Sequence, residues 1–139
     1  MENSIGGLEF LSCIPGTVGG GLKINSGCFG REFKDILLSV QVIDRNGIIQ
    51  TIPASKIKFG YRHSPLDKSL IFLSASFQGT KKNKRDIEIK INSLKEEKNK
   101  RQPSKIKNWG ITFKNPIGSS KLKVCELIKN SVSISQSCG

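Results

Sequence analysis

Apolar and polar residues alternate in Leu37-Leu-Ser-Val-Gln-Val-Ile43, a period of two that predicts a half-buried strand. Asp44-Arg-Asn-Gly47 follows with Asn-Gly turn chemistry, and Ile48-Ile-Gln-Thr-Ile52 returns as the partner strand of a hairpin. Pro53 through Lys58 reads as a short helical turn, and Ile71-Phe-Leu-Ser-Ala-Ser-Phe77 as a third strand beside the hairpin in one sheet. Gly79 ends this half. From Asp86 to Arg101 the apolar residues thin to Ile87, Ile91 and Leu94, a narrow helical stripe stopped by Gln102-Pro103. Such a helix is expected on a surface, linking two lobes. Trp109-Gly-Ile-Thr-Phe113 reads as a short strand entering a loop at Asn115-Pro116, and Val124, Leu127 and Ile128 mark one face of a last helix. The tail 131–139 alternates weakly and has no partner, which predicts disorder or the product of a shifted reading frame.

A second pattern interrupts this one. The apolar residues Leu8, Leu11, Ile14, Val18, Leu22 and Ile24 frame Ile14-Pro-Gly-Thr-Val-Gly-Gly-Gly21, and Asn25-Ser-Gly27 continues the run. Glycines uncover backbone N–H groups and permit positive φ, so a phosphate-bearing or planar ligand can approach the main chain. Pro15 sets one corner of a turn, Gly16 relaxes the next, and Thr17 offers a hydroxyl. A helix opening near Val18 would aim its free N–H groups at an anion. The alternative is a glycine-rich surface loop, but the apolar frame argues for a packed one. Neither a Gly-Lys-Ser/Thr motif nor a spaced G-x-G-x-x-G is present, so a nucleotide-like cofactor on a different fold is expected.

Composition narrows the field. At 139 residues the chain is one domain's worth, although 36% hydrophobic residues is low for a self-sufficient globule. No run approaches a membrane span and no signal peptide opens the sequence, so a cytoplasmic location is expected. Four scattered cysteines and one histidine suggest reduced thiols, with neither a metal site nor a redox pair. The net charge of +12 raises nucleic-acid binding, but seven of those charges fall in residues 81–107, a segment without aromatics for base stacking. A solvated helix face accounts for them.

Gly6-Gly-Leu-Glu-Phe-Leu-Ser-Cys-Ile-Pro-Gly-Thr-Val-Gly-Gly20, Phe59-Gly-Tyr-Arg-His-Ser64 and Phe113-Lys-Asn-Pro116 together resemble UDP-N-acetylenolpyruvoylglucosamine reductase, in that family's order and near its spacing. The resemblance covers residues 4 to about 129. It implies an α+β fold. Residues 1–80 would be the second half of a flavin-binding domain of the vanillyl-alcohol-oxidase/PCMH-like kind. Residues 81–108 would be a basic connecting helix and linker, and 109–139 a truncated substrate-binding lobe. The chain would then be the middle of such an enzyme, lacking both ends. The implied activity is NADPH-dependent reduction of UDP-N-acetylglucosamine enolpyruvate to UDP-N-acetylmuramate for peptidoglycan, with FAD as cofactor and a UDP-sugar as substrate.

Carried over residue by residue, the resemblance places FAD against Ile14, Pro15, Gly16, Thr17, Gly19, Gly20, Asn25 and Gly27. It makes Arg62 the cation that stabilises the enol-like intermediate, with Tyr61, Lys114 and Asn115 at the substrate. His63 is not carried over as catalytic. A guanidinium suits Arg62's role because it stays charged and grips a carboxylate through two parallel bonds. The family's proton-donating serine falls at Ile111, which has no proton to give, and its glutamate is absent; Thr112 would need a bulge to substitute. Two readings therefore stand: a reductase segment that is inactive alone and needs a complementary fragment, or a non-catalytic remnant of a degraded or split gene.

Overall fold

The structure is a computed structural model describing residues 3–101, 113–116, 122 and 124–131. Two compact units are found, Met1–Pro103 and Ser104–Gly139. In the first, strands β1 (Ile5–Gly6), β2 (Gly27–Cys28), β3 (Arg31–Glu32), β4 (Leu37–Ile43), β5 (Ile49–Pro53), β6 (Ile71–Phe77) and β7 (Thr80–Lys81) accompany helices α1 (Val18–Lys23) and α2 (Lys84–Arg101). The second contains α3 (Val124–Ser131).

The alternation of β4 holds from Val40 to Val42, whereas at its start a register shift between Leu37 and Ser39 buries Leu37 in place of Leu38. Leu37, Val40 and Val42 are buried while Leu38 and Gln41 face out, and β4 pairs antiparallel with both β5 and β6. The sheet order is β5-β4-β6, so the hairpin and the third strand are neighbours. A core of Leu22, Phe33, Leu37, Val40, Val42 and Ile57 lies beneath it, and Phe33 meets Phe77 edge to face at 5.8 Å. On the outer face Ile49 and Ile71 both stand opposite Ile43, and both are more than half exposed.

The hairpin turn is not the two-residue form that Asn-Gly suggests. Asp44 O accepts from Gly47 N at 3.1 Å, and Asp44 Oδ1 accepts from Asn46 N and Ile48 N. Gly47 alone takes a left-handed φ of 82°, giving a wider loop in which Asp44's carboxylate does the organising. A primed two-residue turn occurs elsewhere, between β2 and β3, where both Phe29 (φ 54°) and Gly30 (φ 76°) are left-handed.

Helix α2 begins at Lys84 rather than Asp86, because Asn83 Oδ1 accepts from Arg85 N at 2.9 Å and caps the first turn. Its stripe buries Ile87 and Leu94, the latter in a second core with Phe10, Cys13 and Ile36. Lys98 Nζ donates to Cys13 O at 2.8 Å. The helix thus docks on the 3-10 turn Glu9–Cys13 within the first unit. Gly79 is followed by one more pairing, β7 on β1. The expected helix stop at Gln102-Pro103 lies outside the described residues, as do all of the expected strand Trp109–Phe113 but Phe113, which is not in a strand, and all of the tail 131–139 but Ser131, which ends α3. Among the described residues no helix is long and apolar enough to cross a membrane.

Candidate functional site

Helix α1 opens where the glycine block predicts, but its glycines serve another purpose. Of the run Gly16–Gly21 only Gly16 is left-handed, at φ 109°; Gly19, Gly20 and Gly21 lie inside the helix. A Cβ on Gly21 would sit 2.5 Å from Phe33 Cζ, so this glycine makes room for a core ring. Thr17 is the N-cap: its Oγ1 accepts from Gly20 N at 3.1 Å and its O from Gly21 N at 3.0 Å. The N–H groups of Val18 and Gly19 are left without an acceptor among the described residues, beside a Gly16 whose Cβ direction is open to 4 Å. Pro15, Gly16, Thr17 and Gly20 are exposed, whereas Ile14 packs against both cores. An open groove of about 270 Å³ runs between α1 and β6, lined by Val18, Gly19, Leu22, Phe72, Leu73 and Ala75 among others.

The second half of the block forms a polar knot. Asn25 is fully buried at φ 45°, and its side chain is saturated. Nδ2 donates to Glu32 Oε2 (2.9 Å) and Gly60 O (3.0 Å), while Oδ1 accepts from Lys34 N (3.1 Å). Asn tolerates this left-handed backbone better than most residues. Gly27 has no room for a side chain, since a Cβ would lie 2.5 Å from Arg31 O, 2.8 Å from Glu32 Cγ and 3.1 Å from Arg62 Nη1. Its glycine therefore clears space first for the Arg31 carbonyl and then for the Glu32 and Arg62 side chains.

Arg62 arrives from a tight turn. Gly60 and His63 exchange backbone hydrogen bonds at 3.0 and 3.2 Å, and Arg62 occupies the third position with φ 51°. A glycine or asparagine is usual there. A bulky residue at such a φ costs about 1–2 kcal/mol, and the surrounding contacts hold it. Nη2 donates to Gly27 O at 2.8 Å and Nη1 to Asn25 O at 3.4 Å. Glu32 Oε1 lies 4.0 Å from Nη1, and the guanidinium sits 5.2 Å over the Tyr61 ring. Arg62 is thus joined to Asn25–Gly27 and makes no hydrogen bond or ion pair with Gly16–Gly20. His63 is exposed, and Ser64 is buried with its Oγ accepting from Leu66 N at 3.5 Å. Lys23, at the end of α1, ties the block to the following loop by donating to Leu66 O and Asp67 O.

Lys114 and Asn115 belong to the second unit. Both are exposed, and Asn115 Oδ1 accepts from Val124 N at 3.1 Å at the start of α3. Ile111 and Thr112 lie outside the described residues. Burial, aided by nearby Cys13, pushes the Cys28 thiol up, so it is a poor nucleophile beside this site. Among the described residues no cluster of metal-ligating side chains occurs.

Glu32 was not among the residues singled out from sequence. Its signal was there: it is the first acidic residue after Glu9, set at the end of a glycine block in a strongly basic chain. Its carboxylate binds Asn25 and Lys34 (2.9 Å) and also receives the Asp35 backbone N–H. The bond from Glu32 raises the Lys34 ammonium above its ordinary value.

The fold class is a mixed α+β one that matches about half of a solved reductase. That structure is UDP-N-acetylenolpyruvylglucosamine reductase (MurB) from Thermus caldophilus, with a TM-score of 0.79 and 31% identity over 94% of this chain and 47% of that one. The chain is homologous to a part of UDP-N-acetylenolpyruvoylglucosamine reductase. It is 59% identical over its full length to the Pelagibacter ubique enzyme, covering 46% of it. It is 40% identical over 90% of its length to that of Paramagnetospirillum magneticum, covering 41%. The chain thus spans less than half the length of these curated relatives. No family model matches it.

Proposed function

We propose that the chain supplies one wall of a FAD site and the substrate-facing arginine of an NADPH-dependent reductase. The reaction is reduction of UDP-N-acetylglucosamine enolpyruvate to UDP-N-acetylmuramate for the bacterial cell wall, in the cytoplasm. Residues 1–80 act as a partial FAD-binding domain, 81–108 as the connecting segment, and 109–139 as part of the substrate-binding lobe. What remains of the site comes from sequence outside these 139 residues. The observation that carries this reading is Arg62, held at a strained φ of 51° with its guanidinium on the backbone of Asn25–Gly27. Strain of this kind collects at functional positions.

The chain's own residues fit a flavin. Gly16 leaves its main chain open, and the N–H groups of Val18 and Gly19 can donate to an anionic or carbonyl oxygen. Ile14, Pro15, Thr17 and Gly20 complete that wall, with Asn25 and Gly27 behind it. When bound, FAD supplies the hydride for the enolpyruvyl double bond. Arg62 grips the adjacent carboxylate and stabilises the negative charge that develops beside it. Tyr61 supports the guanidinium, and Lys114 and Asn115 bind the UDP-sugar.

A second reading, a non-catalytic remnant, is favoured by Ile111 at the proton donor's position. One experiment separates the two. The chain replaces its counterpart in the Pelagibacter ubique reductase, with Ile111→Ser added, and substrate-dependent NADPH oxidation is followed. Turnover that falls at least ~10²-fold on Arg62→Met, with FAD retained, supports the enzyme reading. A chimaera that binds FAD yet never turns over supports the remnant, and full turnover after Arg62→Met refutes the role of Arg62.

A further inference from the structure

Arg62 leaves the turn Gly60–His63 as a long side chain on a strained backbone, so something must define where its charge points. Two backbone carbonyls do part of this, Gly27 O at 2.8 Å and Asn25 O at 3.4 Å. Both are neutral, and the second bond is long. The acidic group that approaches is Glu32, whose side chain is only 18% exposed.

Glu32 is itself fixed before it meets Arg62. Its carboxylate receives the Asp35 backbone N–H, and its own N–H donates to Asp35 Oδ2 at 2.8 Å, a reciprocal cap on the 3-10 turn Phe33–Asp35. Oε2 is engaged by Asn25 Nδ2 and by Lys34 Nζ, each at 2.9 Å. Oε1 is the atom turned toward Arg62 Nη1, at 4.0 Å. Glu32 also acts through Asn25, because the residue it holds is the one whose backbone oxygen accepts from Arg62. The Nε–H of Arg62 and the second N–H of Nη2 have no acceptor among the described residues, so they remain for an incoming carboxylate.

We infer that Glu32 is a positioning residue for Arg62: its carboxylate, anchored by Asn25 and the Asp35 N–H, orients the guanidinium so that its unused donors stay free for an anionic substrate group. This rests on reading Arg62 as the substrate-facing cation. Glu32 touches no reacting atom and does its work through Arg62.

The test is the rotation of the Arg62 guanidinium in the chain labelled with ¹⁵N-arginine, followed by NMR and assigned with Arg62→Lys. Neither FAD nor substrate is present. In Glu32→Gln the amide oxygen can still accept from Asn25 Nδ2, and an unchanged backbone spectrum shows that the fold is kept. The lost charge should speed Arg62 rotation by about tenfold, the equivalent of a weak charge-assisted bond. A folded Glu32→Gln chain with Arg62 rotation within twofold of the parent overturns the inference. Should Glu32→Gln not fold, Lys34→Met decides. Lys34 is an exposed rival for the same carboxylate, so its removal should slow Arg62 rotation. Unchanged or faster rotation in Lys34→Met overturns the inference equally. Failure here leaves the proposed activity standing, whereas a chimaera indifferent to Arg62→Met refutes the activity and not the positioning.

Discussion

Replacing Asn25 tests the architecture of the site most directly, because one fully buried side chain links three segments. In Asn25→Ala the hydrogen bonds to Gly60 O and from Lys34 N disappear, each worth about 1 kcal/mol net. The bond to the Glu32 carboxylate is worth roughly 1.5–3 kcal/mol, and its loss leaves a mostly buried charge with one partner fewer. Alanine at φ 45° adds about 1 kcal/mol of backbone strain that asparagine partly escapes. The expected loss is therefore about 5 kcal/mol, a large share of the ~5–15 kcal/mol typical of a whole domain. Asn25→Gly removes the same bonds without the strain, so it should be about 1 kcal/mol more stable than Asn25→Ala, although glycine normally weakens a folded chain. Urea unfolding followed by circular dichroism measures both. A loss under about 1 kcal/mol in Asn25→Ala would refute the buried network, and a glycine variant less stable than the alanine one would refute the strain.

Further outcomes follow from single contacts. Gly21→Ala drives a Cβ into the buried Phe33 ring and should cost about 1–3 kcal/mol, less what alanine returns as a helix former. Gly19→Ala meets only Phe72 Cβ at an ordinary 3.6 Å and should stabilise by up to about 1 kcal/mol. Thermal melts that ranked the two alike would sink this account of the glycine run. Burial works against the charge of Glu9, but its own N–H and that of Gly7 outweigh it, with Lys82 and Arg31 adding to them, and hold its carboxyl below the usual range. A depressed folded pKa contributes stability above the unfolded value and loses it as pH falls through the folded one, so the urea midpoint should drop below about pH 4. Glu9→Gln should flatten that acid limb, and an identical limb in the variant would exclude Glu9 as its source. In the chimaera carrying Ile111, turnover should be nearly absent and rise ~10²–10⁴-fold in Ile111→Ser, with Thr112→Ala then changing little. Normal turnover with Ile111, abolished by Thr112→Ala, would make Thr112 the acid.

Much of the local structure was legible because it depends on neighbours in sequence. The period of two in Val40–Ile43, the span Ile71–Phe77 and the opening of α1 near Val18 are fixed by which residues must turn inward and where a Thr can cap. The turn at Asn46-Gly47 closes the expected hairpin, and its wider form follows from Asp44, whose side chain satisfies two N–H groups and outweighs the two-residue preference of the dipeptide.

The sequence by itself determined the three strands of the main sheet, the main helices, the glycine block and Arg62 as the residue to watch, since periodicity, caps and motif spacing are written along the chain. Only the tertiary structure decided what the glycines are for. Gly21 yields to Phe33, and Gly27 yields to Glu32 and Arg62, through contacts between segments brought together by the core beneath β4. It also revealed Glu32, because the value of a carboxylate lies in the groups that surround it. Asn25, Lys34 and Arg62 converge on that carboxylate only after the chain from Asn25 to Arg62 has closed on itself.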